Sequence, residues 1–134
     1  MPDAQFLDWP FFEDRHRALA KALEPWAQDT QARLSRTVDA HDADALTRAW
    51  VQALGDAGWL QHSAIDPDHP EVPLDVRSLC LIREILARHH GLADFAFAMQ
   101  GLGTGALSLF GSPEQREVLR RSRAGQCITA FALT

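Results

Sequence analysis

The sequence has little cysteine, a single lysine and no tyrosine. Two cysteines in 134 residues, Cys80 and Cys127, are too few and too far apart for a disulfide scaffold or a zinc site. So low a count is typical of a reducing compartment, and we expect a cytoplasmic protein. Basic residues are also scarce, 13 against 18 acidic ones, which gives a formal net charge of −5. Because nucleic acid is bound through a basic surface, this balance argues against a nucleic-acid partner.

Targeting signals are also lacking at the N-terminus. Asp3, Asp8, Glu13 and Asp14 make the first residues acidic, whereas a secretory leader starts with basic residues and a mitochondrial presequence avoids acids. Hydrophobic residues make up 46% of the chain, enough to bury a core. The length predicts one domain, or one domain of a longer chain.

Helical spacing of apolar residues dominates the first half of the chain. A first helix is predicted over Phe11–Leu23, ended or kinked by Pro25, and Trp26–Arg36 is predicted as a second helical segment. Asp42 is a good N-cap for the next helix, and Gly58 is a natural stop.

The middle of the chain predicts a loop and two further helices. Three prolines in Trp59–Pro73 indicate a long ordered loop, after which Asp75 caps a helix that runs to about His89. Leu92–Phe110 is apolar almost all round, which favours a central helix surrounded by others over a membrane span. Its glycines would be tolerated where another helix or a ligand approaches the backbone closely. They are Gly101, Gly103 and Gly105.

The last helix and the chain end differ in character. Ser112 and Gln115 form a predicted capping box for a helix that stops before Gly125. After this helix the spacing of apolar residues is no longer helical, and Gln126–Thr134 is predicted as a strand. We therefore expect an all-α helical bundle over residues 1–125 and the first strand of a β domain over 126–134. A single strand needs a partner, so either another chain completes it or this is the N-terminal piece of a larger protein.

Most motifs for catalysis are absent. The chain has no H-E-x-x-H and no G-x-S-x-G. Adjacent His89 and His90 point in different directions on a helix and cannot chelate one metal. The glycine-rich stretch 101–105 is not preceded by a strand, as a phosphate cradle requires. Glu84 and Arg88 have the spacing of an ordinary surface pair.

Five short motifs between Leu54 and the chain end nevertheless occur in a specific order. They are Leu54–Leu60 (LGDAGWL), Arg83–Ala87 (REILA), Leu109–Arg116 (LFGSPEQR), Ala124–Gln126 (AGQ) and Phe131–Thr134 (FALT). This order resembles the acyl-CoA dehydrogenase family, in which FALT opens the β domain and runs into E-P-x-A-G-S-D. The loop after Trp59 departs from the family, because Ile65–Pro70 stands where a P-x-x-x-G-G turn is usual. That departure leaves the substrate class open.

The resemblance implies three domains: N-terminal helices of this type, a middle β barrel and a C-terminal four-helix bundle. FAD would lie between the latter two, with the acyl chain of an acyl-CoA against the N-terminal helices. The intact enzyme would desaturate the thioester between its α and β carbons, using a glutamate of the C-terminal domain. It would also have an electron-transfer partner and form a dimer or tetramer. This piece alone would lack the base and be inactive.

The resemblance also assigns residues at the flavin. Phe131, Leu133 and Thr134 match the start of the flavin-contacting strand, with the Thr134 hydroxyl and backbone groups near Leu133 at the pyrimidine end of the isoalloxazine. The alternative for Phe131 and Leu133 is a place in the core of the barrel.

Four residues of the central helix match positions that line the acyl cavity in the family: Asp94, Phe95, Ala98 and Leu102. Plain helix packing is the alternative for Phe95 and Leu102. Asp94 differs, because a carboxylate on an apolar helix should be paired or neutralised.

Two other functions stay open. One is a relative on the same fold, an acyl-CoA oxidase or a flavin-dependent monooxygenase. The other is a stand-alone helical interaction module whose last strand binds a partner by strand addition.

Overall fold

Five α-helices account for most of residues 4–133, which the computed structural model describes. Two single 3-10 turns lie at Gln5–Asp8 and Trp59–His62. The helices are α1 (Asp14–Thr37), α2 (Ala43–Asp56), α3 (Val76–His89), α4 (Gly91–Phe110) and α5 (Pro113–Arg123). The prediction of an all-helical bundle is confirmed.

The predicted N-caps Asp42 and Ser112 are confirmed by their capping hydrogen bonds. Asp42 accepts the Ala45 N–H at 2.9 Å to begin α2. At α5, Ser112 Oγ accepts the Gln115 N–H at 3.3 Å, and Gln115 Oε1 accepts the Ser112 N–H at 2.9 Å. These caps satisfy backbone donors that have no partner inside the helix, so local sequence alone defines them.

The sequence predicts that Pro25 ends or kinks the first helix. An end at Pro25 is wrong, because α1 continues through this residue from Asp14 to Thr37. A proline inside a helix removes one N–H donor and costs about 3 kcal/mol. Leu23 and Ala27, on either side of it, are both completely buried. The packing of α1 on α3 outweighs the cost of the proline, so the predicted second segment is part of the same helix.

The centre of the bundle is built by α4, which packs on α2, α3 and α5. Trp50 of α2, Ile82 of α3 and Phe97 of α4 are buried there almost completely. The prediction of a central helix is therefore confirmed. Among residues 4–133, no helix combines the length and apolar character needed to cross a bilayer.

Three of the four tryptophans cluster in this core. The rings of Trp26 and Trp59 are 5.8 Å apart, and those of Trp26 and Trp50 are 6.3 Å apart. The ring of His90 lies 6.1 Å from that of Trp50. Trp9 lies outside the cluster and is exposed.

A buried histidine joins the N-terminal ends of α1 and α3. His16 Nδ1 accepts the Glu13 N–H at 2.9 Å, and Nε2 lies 2.8 Å from Asp75 Oδ2. Because Nδ1 is an acceptor, the ring proton resides on Nε2 and is donated to Asp75. Asp75 also accepts the Ser78 hydroxyl at 3.0 Å and, as the predicted N-cap of α3, the Arg77 N–H at 3.2 Å.

Within residues 4–133, the segment 126–133 forms no strand, and no other strand is present to pair with it. The predicted strand Gln126–Thr134 is thus not seen in the part described, because a strand needs a neighbour for its backbone groups. That the segment opens a β domain stays a prediction. A sharp turn at Gly125, with φ of +70°, directs it back over the bundle.

Candidate functional site

The outward face of α4 is apolar and uncovered. Phe95 is 54% exposed and Leu102 is 52% exposed, and Ala98 lies half-buried between them. Ala106 and Leu109 continue the exposed face at helical spacing. A contiguous exposed apolar stripe is typical of an interaction or ligand surface rather than of scattered surface residues. Plain packing against neighbouring helices therefore does not explain Phe95 and Leu102 within residues 4–133.

Asp94 lies at the beginning of this stripe and is paired, as expected for a carboxylate on an apolar helix. Its two oxygens accept Nε and Nη2 of Arg83 at 2.8 and 3.0 Å. This two-pronged hydrogen bond raises the pKa of Arg83. The pair ties α3 to the first turn of α4, so the Asp94 carboxylate is already engaged before any ligand binds.

The segment after α5 lies across α4 and is held by Gln100, a residue that the sequence analysis did not select. Gln100 Nε2 donates to the Cys127 carbonyl at 2.8 Å, and its Oε1 accepts the Thr129 N–H at 2.8 Å. The single amide on a mostly apolar helix was the available signal, but its partners lie more than twenty residues away in the sequence.

Gly103 lets the same segment approach the backbone of α4. A Cβ at this position would lie 2.7 Å from Ala130 N, closer than any side chain can be accommodated. At Gly105, by contrast, a Cβ would meet nothing within 4 Å. A close approach is therefore found at Gly103, where a non-helical segment makes it instead of the predicted helix or ligand, and none is found at Gly105.

Phe131 and Leu133 extend beyond this contact into solvent. Phe131 is 50% exposed and Leu133 is 85% exposed, so neither belongs to the core of residues 4–133. In that range, the backbone N–H groups of Phe131 and Leu133 have no hydrogen-bond partner. These donors and apolar side chains suit the edge of a flavin, which offers ring carbonyl oxygens beside an apolar ring face. Thr134, the third residue assigned to the flavin, lies outside the described residues.

A separate cavity of about 650 Å³ opens between α1, the loop after α2 and the end of α5. Leu19, Trp59 and His62 are among its lining residues, and none of the predicted α4 residues is. Burial lowers the pKa of His62, with Asp75 raising it and Arg123 lowering it to a smaller extent. The imidazole is therefore mainly neutral at pH 7.

The loop of residues 65–70, whose sequence departs from the family pattern, lines part of that cavity and forms ion pairs with α5. Arg120 Nη1 and Nη2 donate to the two oxygens of Asp68 at 2.6 and 3.0 Å. Arg123 Nη1 lies 3.2 Å from Asp66 Oδ2, an ion pair without hydrogen-bond geometry. The hydrogen bonds from Arg120 lower the pKa of Asp68 and outweigh the opposing effect of burial.

Among residues 4–133, no three histidine, cysteine or acidic side chains converge on one point. His89 Nε2 contacts Glu24 Oε1 at 2.9 Å, and His90 Nδ1 accepts the Leu92 N–H at 3.1 Å to cap α4. Glu84 accepts Arg88 at 2.8 Å, the surface pair that the spacing predicts.

Comparison with known proteins gives one family match. The model of the acyl-CoA dehydrogenase N-terminal domain matches residues 13–125, a range that contains all five α-helices completely. No curated protein matches the chain.

Proposed function

The chain belongs to the acyl-CoA dehydrogenase family of oxidoreductases, and on that premise we propose that it serves an FAD-dependent enzyme that desaturates an acyl-CoA thioester. In this proposal α4 supplies a wall of the acyl pocket, and the segment after α5 supplies the edge of the flavin site. The observation that carries the proposal is the uncovered apolar face of α4 next to a segment with free backbone donors.

The apolar face suits an acyl chain because it offers no charge between Phe95 and Leu109. Removing a methylene group from water contributes about 0.8 kcal/mol. The affinity for an acyl chain lying along this face would therefore increase with the length of the chain. On this face the small side chain of Ala98 lies between Phe95 and Leu102, and its size leaves space for the acyl chain. Asp94 would lie at the edge of the pocket and hold the first turn of α4 in place through its ion pair with Arg83.

At the flavin edge, Phe131 and Leu133 would present backbone N–H groups, and Thr134 would add a hydroxyl donor. FAD, when bound, supplies the acceptor for the hydride that leaves the β carbon of the substrate. Donors held in place at the ring edge favour negative charge there, since they need no reorganisation during the reaction. The proposal places the base for the α proton outside these 134 residues. It also includes an electron-transfer partner and a homo-oligomeric intact enzyme.

The test is a change of chain-length preference in the protein at its native length. Ala98→Phe fills the space on α4 and should lower kcat/KM for long acyl-CoA thioesters relative to short ones. One methylene group in a pocket changes this ratio by roughly ten- to two-hundredfold. Ala18→Phe, at an exposed position of α1, is the matched control and should leave the profile unchanged.

Three results would contradict the proposal or redirect it. An unchanged chain-length profile in Ala98→Phe, with FAD bound, would place the acyl chain elsewhere. No turnover of any acyl-CoA by the flavin-loaded wild type would remove the dehydrogenase assignment. Turnover with O₂ alone, releasing hydrogen peroxide, would identify the oxidase alternative.

A further inference from the structure

The side-chain amide of Gln100 takes the place of a strand for the segment after α5. Gln100 is only 1% exposed, and its Nε2 donates to the carbonyl of Cys127 while its Oε1 accepts the N–H of Thr129. In a parallel sheet, one residue bonds in this way to the carbonyl of residue j−1 and the N–H of residue j+1 of its neighbour. Here a single amide on a helix offers the same pair of bonds.

The second Nε2 hydrogen of Gln100 is also used. It is donated to Ser122 Oγ at 3.1 Å, at the end of α5. The amide therefore connects α4, α5 and the segment, and every one of its donors has a partner. A buried amide with all its groups paired fixes one arrangement, because any shift leaves a polar group without a partner.

Two further contacts set the distance of the segment from α4. The Thr129 hydroxyl donates to the backbone carbonyl of Gln100 at 3.1 Å. The missing side chain at Gly103 allows Ala130 to lie against the helix. Register and distance are thus both determined at residues 127–130, immediately before Phe131 and Leu133.

We propose that Gln100 is a positioning residue that sets the register of the flavin-edge segment relative to the acyl face of α4. The inference rests on the proposed function for the roles of Phe131 and Leu133. At about 3.3 Å per residue, Phe131 lies within roughly 7 Å of the anchored Thr129. A slip by one residue would turn each side chain and each N–H of an extended segment to the opposite side.

Hydrogen exchange in the 134-residue chain tests the anchor without FAD. Gln100→Leu removes both bonds and should reduce protection of the Thr129 amide about tenfold or more relative to the Phe97 amide, which reports the core. Thr104→Val is the matched control, since Thr104 is buried on the same helix and its hydroxyl bonds only to carbonyls of α4. This variant should change the protection of the Thr129 and Phe97 amides by the same factor. If Gln100→Leu also reduced the protection of both amides equally, the proposed anchoring of the segment by Gln100 would be refuted.

Gln100→Glu provides a second variant if the leucine variant does not fold. An ionised glutamate retains the acceptor for Thr129 but turns an oxygen towards the Cys127 carbonyl. A protonated one regains a donor. Relative protection of Thr129 should therefore recover as the pH is lowered, which a purely steric role of this side chain would not produce. Absence of any such recovery would contradict the proposed pair of bonds.

Kinetics of the native-length, flavin-loaded protein tests the positioning role. Gln100→Leu should lower kcat about tenfold or more and shift the visible absorption of the flavin, with little change in KM for a short acyl-CoA. An unchanged kcat and flavin spectrum, with Thr129 protection lost, would overturn the positioning role. A wild type without dehydrogenase activity would refute the proposed function instead, while the exchange result would still decide the anchor.

Discussion

Asp75 offers the sharpest test of what holds the helices together. Burial raises the pKa of this carboxyl, but hydrogen bonds from His16 and Ser78 and the charge of Arg15 outweigh it and hold the pKa at about 2, below the ordinary 3.8. One pKa unit corresponds to about 1.4 kcal/mol, so the ionised carboxylate contributes about 2 kcal/mol to the free energy of unfolding. Asp75→Asn removes that charge and leaves an amide facing donors.

The expected loss for Asp75→Asn is about 2–3 kcal/mol at pH 7, because the buried His16 Nε2–H loses a charged acceptor. With a urea m-value of about 2 kcal/mol/M, the midpoint of unfolding should fall by about 1 M. Asp42→Asn is the matched control. Asp42 caps α2 through one exposed backbone bond, and asparagine caps a helix nearly as well as aspartate.

The pH dependence has a definite sign. Since the folded pKa of Asp75 lies below the unfolded value, its contribution is fully present above about pH 5 and is lost as the pH falls towards 2. About half of it should be gone at pH 3. The difference in unfolding free energy between wild type and Asp75→Asn should therefore shrink between pH 7 and pH 3. Equal losses in the two asparagine variants, or a difference that does not shrink, would refute the reasoning.

Substitutions on α4 give the remaining predictions. Gly103→Ala should lower the Tm and expose the following segment to exchange, because its Cβ would lie 2.7 Å from Ala130 N. Gly105→Ala should raise stability by about 1 kcal/mol, since it gains helix propensity in open space, and a rise in Tm for both variants would contradict the packing described. Arg83→Met should cost about 1 kcal/mol or less, because the guanidinium that holds Asp94 is half exposed. That cost should disappear in 1 M salt, and a cost that persists would mean that the ion pair is not its source.

The sequence predicts those features of the fold that depend on a few neighbouring residues. Asp42, Asp75 and Ser112 each cap a helix through backbone groups two or three residues away, so their role is visible in the sequence. Pro25 was misjudged as a helix end because its cost is local, whereas the burial that outweighs it comes from α3.

The same distinction between local features and features that depend on distant contacts applies to the candidate site. Phe95, Ala98 and Leu102 were selected through a family resemblance, and the structure places them on one helix face with the two larger side chains about half exposed. Gln100 could not be selected, because a single glutamine has no meaning until Cys127 and Thr129 are brought to it. The segment 126–133 was predicted as a strand from its β-rich composition, but composition does not provide a pairing partner.

The tryptophan cluster gives this domain an intrinsic fluorescence signal that reports on its packing. With no tyrosine in the chain, ultraviolet emission comes from tryptophan alone, and the signals of Trp26, Trp50 and Trp59 are coupled by their proximity. Trp50 is completely buried and its neighbour His90 caps α4, so the emission of this indole reports on the surroundings of the beginning of α4. Exposed Trp9 emits at longer wavelength than the buried rings. Loosening of the bundle can therefore be followed by wavelength and intensity without any attached dye.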